Sequence, residues 1–388
     1  MIRNGKRSLH ICIVGGARPN FMKVAPLVHS LIARKERVVN AGLELKVSIV
    51  HTGQHYDKNM SNVFFQDLGI PSPDRYLDVG SGSHAKQTAK IMISFEKALL
   101  KDRPDLVVVV GDVNSTLACA LTSKKLGVAV AHVEAGLRSF DMEMPEEINR
   151  KLTDGISDFL FVTEESGIRN LRAEGVSGDK IFLVGNVMID TLLRNLARIE
   201  SREFAPLAKV QVICGTGKRY GVLTLHRPSN VDSREALAPI WGAISEIACR
   251  IPILFPVHPR TRAKIAKFGL DSKGVRMIDP IGYLDMLYAV KGAAMVLTDS
   301  GGLQEETTVL GVPCVTIREN TERPVTVEIG TNYLAGTKRE GILSVAREIL
   351  SGNAKKGSVP PLWDGKAAER IADILIQSIS QLNKENSA

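Results

Sequence analysis

The sequence reads as an α/β protein of two doubly wound, Rossmann-like domains facing across a cleft. Three observations carry that reading. Short β-branched apolar runs alternate with helical patterns along the whole of the 388 residues. The runs are apolar at nearly every position, as strands buried on both faces of a parallel sheet are. The alternation is interrupted once, after Gly185, and then resumes. At roughly 150 residues per domain, the length also fits two domains.

In the first half, strands are expected at 9–14, 45–50, 106–110, 128–133, 159–162 and 181–184. Helical stretches lie between them. Over 84–100, Thr88, Met92, Phe95 and Leu99 recur at three- and four-residue steps, the period of one helix face. A helix over about 187–200 leads into the second series, with strands at 222–225, 253–257, 275–278, 295–297 and 314–317. The expected domains are 1–186 and 187–365. A last helix from about 366 follows the kink at Pro360-Pro361 and has no strand after it. No internal repeat or low-complexity segment interrupts the pattern.

Composition narrows the function classes. Hydrophobic residues make up 44% and charged residues 24%, the balance of a soluble globular protein. The apolar run at 106–110 is far short of the ~20 residues of a membrane helix. Arg3, Lys6 and Arg7 precede the first apolar run, but that run ends at Gly15-Gly16 without a small-residue cleavage site. It reads as a strand and not as a signal peptide. A net charge of +8 favours an anionic partner. No dense Lys/Arg block or basic-aromatic stripe points to nucleic acid, and a small phosphorylated ligand needs only a few focused cations. The five cysteines are dispersed, with neither CxxC nor zinc spacing, which suits free thiols in a reducing cytoplasm. His51 and His55 are four apart, but Gly53 between them argues against a helical metal pair, and no metal is expected.

Two glycine turns carry ligand chemistry. Gly15-Gly16-Ala17-Arg18-Pro19 ends the first strand and opens a helix bearing Lys23. Backbone N–H groups at such a helix start suit an anion, and Arg18 and Lys23 add charge. The segment matches neither GxGxxG nor GxxxxGK[ST], so the dinucleotide and P-loop fingerprints fail here. Thr298-Asp299-Ser300-Gly301-Gly302 also follows a strand and opens a helix. A diphosphate can sit on Ser300 and the Gly301 and Gly302 amides, with Glu306 one turn further on for the ribose hydroxyls. The plainer account is a serine cap with acids favouring the helix start.

Acids and histidines follow the strands. Asp112 directly follows one strand, Glu134 follows the next, and Glu146 lies after Pro145 with Arg150 on the same helix face. Each alone suits a cap or a surface acid. Together they can place several carboxylates in one cleft for proton transfer. His226 and His258 end adjacent strands of the second half beside Pro228 and Pro259. Arg323 lies in a loop after a strand and can reach a phosphate.

GARPNFMKVAP, GDVNSTLA, HVEAGLRS, PEEINR, TLHRPSNVD, PVHPR, TDSGGLQEE and TERP, in this order, resemble the non-hydrolysing UDP-N-acetylglucosamine 2-epimerases over nearly the whole chain. The resemblance implies a homodimer of the glycosyltransferase-B architecture that interconverts UDP-GlcNAc and UDP-ManNAc for envelope polysaccharides. It implies Asp112, Glu134, Glu146 and His226 as the catalytic set. It assigns the nucleotide to Arg18, Lys23, His258, Ser300, Gly301, Gly302, Glu306 and Arg323, with the uracil near Ile281 and Met286. It also implies that the last helix returns to the first domain. Three departures stand out. Asn20 replaces the glutamate of the commoner GTRPE form. Met286 stands where an aromatic is common. Gln54-His55-Tyr56-Asp57 keeps part of a second, allosteric nucleotide-sugar site, but Gly80 to Ser83 supplies no arginine for it.

The chemistry fits these residue types. The C2 hydrogen of an N-acetylhexosamine is not next to a carbonyl and is not acidic. With no dinucleotide fingerprint, elimination of UDP across C1–C2 is the expected route, needing proton-handling groups on two faces and no cofactor. Carboxylates with ordinary values near ~4 must rise by burial or like-charge neighbours to act as acids. Other readings are a hydrolysing epimerase, an epimerase of a UDP-diacetamido-uronate, a glycosyltransferase and a non-catalytic nucleotide-sugar sensor.

Overall fold

A computed structural model describes residues 2–385 other than 4, 5, 17, 41, 42, 54–64, 66, 67 and 272. The chain divides into two compact units, Met1–Thr191 with Pro361–Ala388, and Leu192–Pro360.

The first unit holds strands β1 (Ile2–Arg3), β2 (Lys6–Gly15), β3 (Leu43–His51), β4 (Arg75–Tyr76), β5 (Leu106–Val110), β6 (Ala129–Ala135), β7 (Phe159–Val162) and β8 (Ile181–Leu183). Their order is β4-β3-β2-β5-β6-β7-β8, with β1 antiparallel on β2 and the other pairs parallel. Every residue of β5 is buried, as its Leu-Val-Val-Val-Val sequence demands of a central strand covered on both faces. Burying each such side chain stabilises the fold by about 1.5–3 kcal/mol. The helices that matter to the site are α1 (Arg18–Ala33), α2 (His84–Lys101), α3 (Asn114–Lys125) and α4 (Pro145–Ile156).

The second unit holds β9 (Gly221–Thr224), β10 (Ile253–Pro256), β11 (Val275–Ile278), β12 (Met295–Thr298), β13 (Cys314–Thr316) and β14 (Asn332–Leu334). Their order is β11-β10-β9-β12-β13-β14, all parallel. Its main core packs Trp241, Phe255 and Ile244 behind this sheet.

The division falls inside the helix α5 (Val187–Ile199), not at its start. Strands β1, β4 and β14 have two or three residues each, too short to show as an apolar run. The final helix α6 (Ala367–Glu385) belongs to the first unit and lies against α1. Asp190 accepts N–H bonds from Ala367 and Ala368 at 3.1 and 2.7 Å, capping the start of α6. Trp363 donates to the Thr163 carbonyl at 3.0 Å. Arg34, just after α1, grips Asp373 with bonds of 2.6 and 2.8 Å.

Each sheet has one place where the strand order reverses, between β2 and β5 in the first unit and between β9 and β12 in the second. Helices leave such a pair in opposite directions, which opens a crevice at the carboxyl ends of the strands.

Candidate active site

The first crevice gathers Lys23, Asp112 and Glu134. β2 ends at Gly15, and α1 carries Lys23 over the end of β5. Lys23 donates to Glu134 Oε2. Gly111, with φ +68°, makes room: a Cβ there would lie 3.1 Å from Lys23 Nζ and 3.5 Å from Glu134 Oε2. Asn20, the departure from the commoner glutamate, is buried and structural. Its Oδ1 accepts from Gly16 N at 3.2 Å, and its Nδ2 donates to the Val110 carbonyl at 3.4 Å. It ties the end of β2 to the end of β5.

Glu134 is set by a bulge. β6 pairs Val133 with Phe161 and Ala135 with Val162, leaving Glu134 as the extra residue. Its φ of +74° lies in the left-handed region, and such strain in a non-glycine residue concentrates at functional sites. The residue is 3% exposed, and Oε1 has no hydrogen-bond partner among the described residues. One oxygen is therefore held by Lys23, and the other is buried and unused.

Asp112 is held from α4. Arg150 Nη1 donates to Asp112 Oδ2 at 2.5 Å, and Asn149 Nδ2 donates to the Asp112 carbonyl at 2.8 Å. The same Arg150 gives Nη2 to Glu147 at 2.6 Å. Glu147 also accepts the Ser139 and Phe140 N–H groups at 3.0 and 3.1 Å. Burial alone would raise its carboxyl, but these donors outweigh burial and hold it below the usual range. Of the adjacent acids, Glu147 is thus spent on structure. Glu146 is half-buried in the first turn of α4 and makes no ion pair among the described residues. Arg150, on the same helix face as Glu146, pairs with Glu147 three residues earlier and with Asp112.

The second crevice gathers His226, the Ser300–Gly302 turn and Arg323. His226 follows β9 and places Nδ1 2.9 Å from Asp299 Oδ1, just after β12. Asp299 is fully buried and also accepts the His226 and Arg227 N–H groups. Burial would raise its carboxyl; the His226 and backbone bonds prevail and lower it. The imidazole side chain is 57% exposed, which leaves Nε2 as the atom available to a substrate.

The helix Gly301–Leu310 starts at this turn. Ser300 sits at its N-cap without using its hydroxyl as a cap. Arg323 crosses the helix start, where a Cβ on Gly301 would lie 2.6 Å from its Nη1. Arg323 Nε donates to Glu305 at 2.6 Å. Glu322, 2% exposed, takes both Arg318 Nη groups at 2.8 and 2.9 Å and has Arg323 and Arg227 at 3.5 and 3.6 Å. Burial opposes the charge on Glu322, and the arginines override it, holding the carboxyl well below the usual range. Glu306 differs. It is 5% exposed and pushed up to about 7 by burial, with the Tyr283 hydroxyl donating at 2.8 Å to Oε1.

The remaining expected residues divide. His258 is exposed and caps the helix Pro259–Lys267, accepting from Arg260 N at 3.3 Å. Ile281 and Met286 are partly buried against a core cluster that includes Ile278 and Leu303. Arg18 begins α1, but its side chain lies outside the described residues, as do Gln54 to Asp57. Lys23, assigned by resemblance to the nucleotide, gives its ammonium to Glu134 here. Sequence reasoning missed Glu147, Asn149, Asp299, Glu322, Arg227 and Tyr283. The i,i+3 spacing of Glu147 and Arg150 and the i,i+4 spacing of Arg318 and Glu322 were the available signals.

Two parallel α/β units, each with a charged site at its switch point, define a two-domain enzyme of the glycosyltransferase-B-like class. Within that class the chain belongs to the UDP-N-acetylglucosamine 2-epimerase family, whose family model matches residues 37–376. It is similar to the UDP-N-acetylglucosamine 2-epimerase of Methanocaldococcus jannaschii, 44% identical over 374 residues, covering 95% of this chain and 99% of that protein. A crystal structure of the M. jannaschii enzyme in complex with UDP-GlcNAc and UDP superimposes with a TM-score of 0.84 at 43% identity, covering 95% of this chain and 99% of that one. The UDP-2,3-diacetamido-2,3-dideoxy-D-glucuronate 2-epimerase of Pseudomonas aeruginosa is 42% identical over 370 residues, covering 95% of this chain and 99% of that protein.

Proposed function

We propose that the protein interconverts UDP-GlcNAc and UDP-ManNAc without hydrolysis. The observation that carries this is Glu134: a buried carboxylate on a strained bulge, one oxygen paired with Lys23 and the other without a partner among the described residues, at the same switch point as Asp112. A nucleotide-sugar binder without chemistry has no need of such a pair. In the forward step a carboxylate of the first unit takes the C2 proton. The C1–O bond breaks with its electron pair leaving on UDP, and a C1=C2 bond forms in 2-acetamidoglucal. UDP then adds back at C1 as a proton reaches C2 from the other face. Arg323, Ser300 and the Gly301 and Gly302 amides hold the departing diphosphate, stabilising charge where it develops. Glu306 takes the ribose, and His226, oriented by Asp299, hydrogen-bonds the reacting sugar-diphosphate. Glu146, without a cation of its own, serves as a further proton donor.

The similarity to the Pseudomonas aeruginosa enzyme favours a second reading, a UDP-diacetamido-uronate as substrate. Incubation with each UDP-sugar, with products resolved by NMR, tests both. Conversion of UDP-GlcNAc to UDP-ManNAc without loss of total UDP-sugar is expected. Release of free ManNAc with stoichiometric UDP would identify a hydrolase instead.

We also infer a homodimer. Ile148 and Leu152, on one face of α4, are exposed, as are Phe140 and Met142 before it, an apolar surface that a second copy would cover. Sedimentation equilibrium tests this, and a monomer at micromolar concentration would overturn it. Cytoplasmic residence is proposed from the free thiols and the cytoplasmic supply of UDP-sugars. Among the described residues no helix is long and apolar enough to cross a membrane.

A further inference from the structure

Behind the two carboxylates lies a fully buried cluster that none of the roles above uses. His132, 0% exposed, sits two residues before Glu134 on β6. Its Nδ1 is 2.6 Å from Asp154 Oδ1, and its Nε2 is 2.8 Å from the Gly111 carbonyl. Asp154 Oδ2 is 2.7 Å from Arg138 Nη2 and accepts the Gly136 N–H at 3.1 Å. Arg138 in turn donates to Glu174 at 2.9 and 2.6 Å. A carbonyl oxygen can only accept, so Nε2 carries a proton. Asp154 already serves two donors on its other oxygen. Burial would raise its carboxyl, but His132 and Arg138 outweigh burial and lower it. Nδ1 then faces a carboxylate, so both ring nitrogens are engaged by oxygen partners.

The cluster braces the backbone beside Asp112 and Glu134. His132 fixes the carbonyl of Gly111, the residue before Asp112. Asp154 fixes the N–H of Gly136, just past the Glu134 bulge, and lies on α4, which also supplies Arg150 to Asp112. Gly111 has Lys23 and Glu134 on its other side. We propose that His132, held between Asp154 and the Gly111 carbonyl, is a positioning residue that fixes Asp112 and Glu134 at the spacing the proton transfers need. This rests on the roles given above to Asp112 and Glu134.

Two measurements test it. In wild-type protein labelled with 15N-histidine, the His132 ring, identified by its loss in His132→Gln, should show a slowly exchanging Nε2–H bonded to the Gly111 carbonyl. A rapidly exchanging or absent Nε2 proton would overturn the proposal. In kinetics with UDP-GlcNAc, His132→Gln should lower kcat by about 100-fold, the cost of a misplacement of order 1 Å. KM and the Kd for UDP should stay as in wild type, because the nucleotide is held in the second unit. An unchanged kcat, or a fall in kcat matched by an equal rise in KM, would overturn it. If His132→Gln does not fold, as judged by circular dichroism, Asp154→Asn keeps the shape of the site and carries the same kinetic test. Asp112→Asn is run beside them. If it retains full turnover, the assignment of Asp112 itself is wrong. If it is inactive while His132→Gln is not, only the present inference fails.

Discussion

The two crevices use the same fold feature and opposite electrostatics. In the first unit two acids at the switch point are met by cations, Glu134 by Lys23 and Asp112 by Arg150. In the second, arginines are met by acids, Arg323 by Glu305 and Arg318 by Glu322. Under the proposed function, the first arrangement aims carboxylates at the sugar and the second aims guanidinium groups at the diphosphate. Preorganised partners of this kind need no rearrangement when charge develops. The lesson is that one switch point is built around acids and the other around cations.

Breaking the acid side should have the largest effect. Asp112→Asn and Glu134→Gln keep size and remove the ionisable group, so each should lower turnover by about 100-fold or more. UDP affinity measured by calorimetry should change little. In heavy water the wild-type product should carry deuterium at C2, and full retention of the original hydrogen would sink the elimination route. On the cation side, Arg323→Ala should lower turnover and weaken UDP binding. Glu306→Ala should weaken UDP binding by about 1.5–3 kcal/mol, the worth of a charge-assisted hydrogen bond; unchanged affinity would remove Glu306 from the site. Gly301→Ala should act more mildly, since the added Cβ 2.6 Å from Arg323 Nη1 must displace that arginine at a cost of about 1 kcal/mol. A Kd for UDP equal to wild type would show that Arg323 is not needed in its present place.

The smallest effect sharpens the contrast through pH. Glu306 has no cation, and burial holds it up at about 7 against an ordinary 4.5. Between those values the folded state binds a proton that the unfolded chain has lost. Stability contributed by protonated Glu306 is therefore full below pH 4.5 and falls as pH rises through 7. Glu306→Gln should melt higher than wild type at pH 8, by about 2–4 °C per kcal/mol recovered, and the gain should vanish below pH 4.5. Equal melting temperatures at pH 8 would show that the buried carboxyl has another partner.

The strands were legible because buried parallel strands are continuous apolar runs, and the acids at their ends were legible by position. Asp112 and His226 needed only that. The strand order was not legible, because crossovers leave no mark on composition; without it nothing shows that the ends of β2 and β5 are neighbours. The bulge at Glu134 also leaves no mark, since the apolar run ends at Val133 and Glu134 reads as the residue after a strand. Two adjacent glutamates at 146 and 147 cannot be told apart by type. Only the turn of α4 decides that Glu147 is buried on Arg150 and Glu146 is not. Asp154 reads as a surface acid on a helix and turns out to be fully enclosed.

The return of residues 361–385 to the first unit has a consequence for synthesis. The second unit is an insertion in the first, so the ribosome completes all of 192–360 before the segment bearing Trp363 and the final helix emerges. The second unit can finish folding as a continuous stretch, while the first must wait with Asp190, Thr163 and the outer face of α1 uncovered. The vulnerable interval in making this protein therefore belongs to the half translated first, and a delay in translation after residue 360 would expose that half to aggregation or proteolysis.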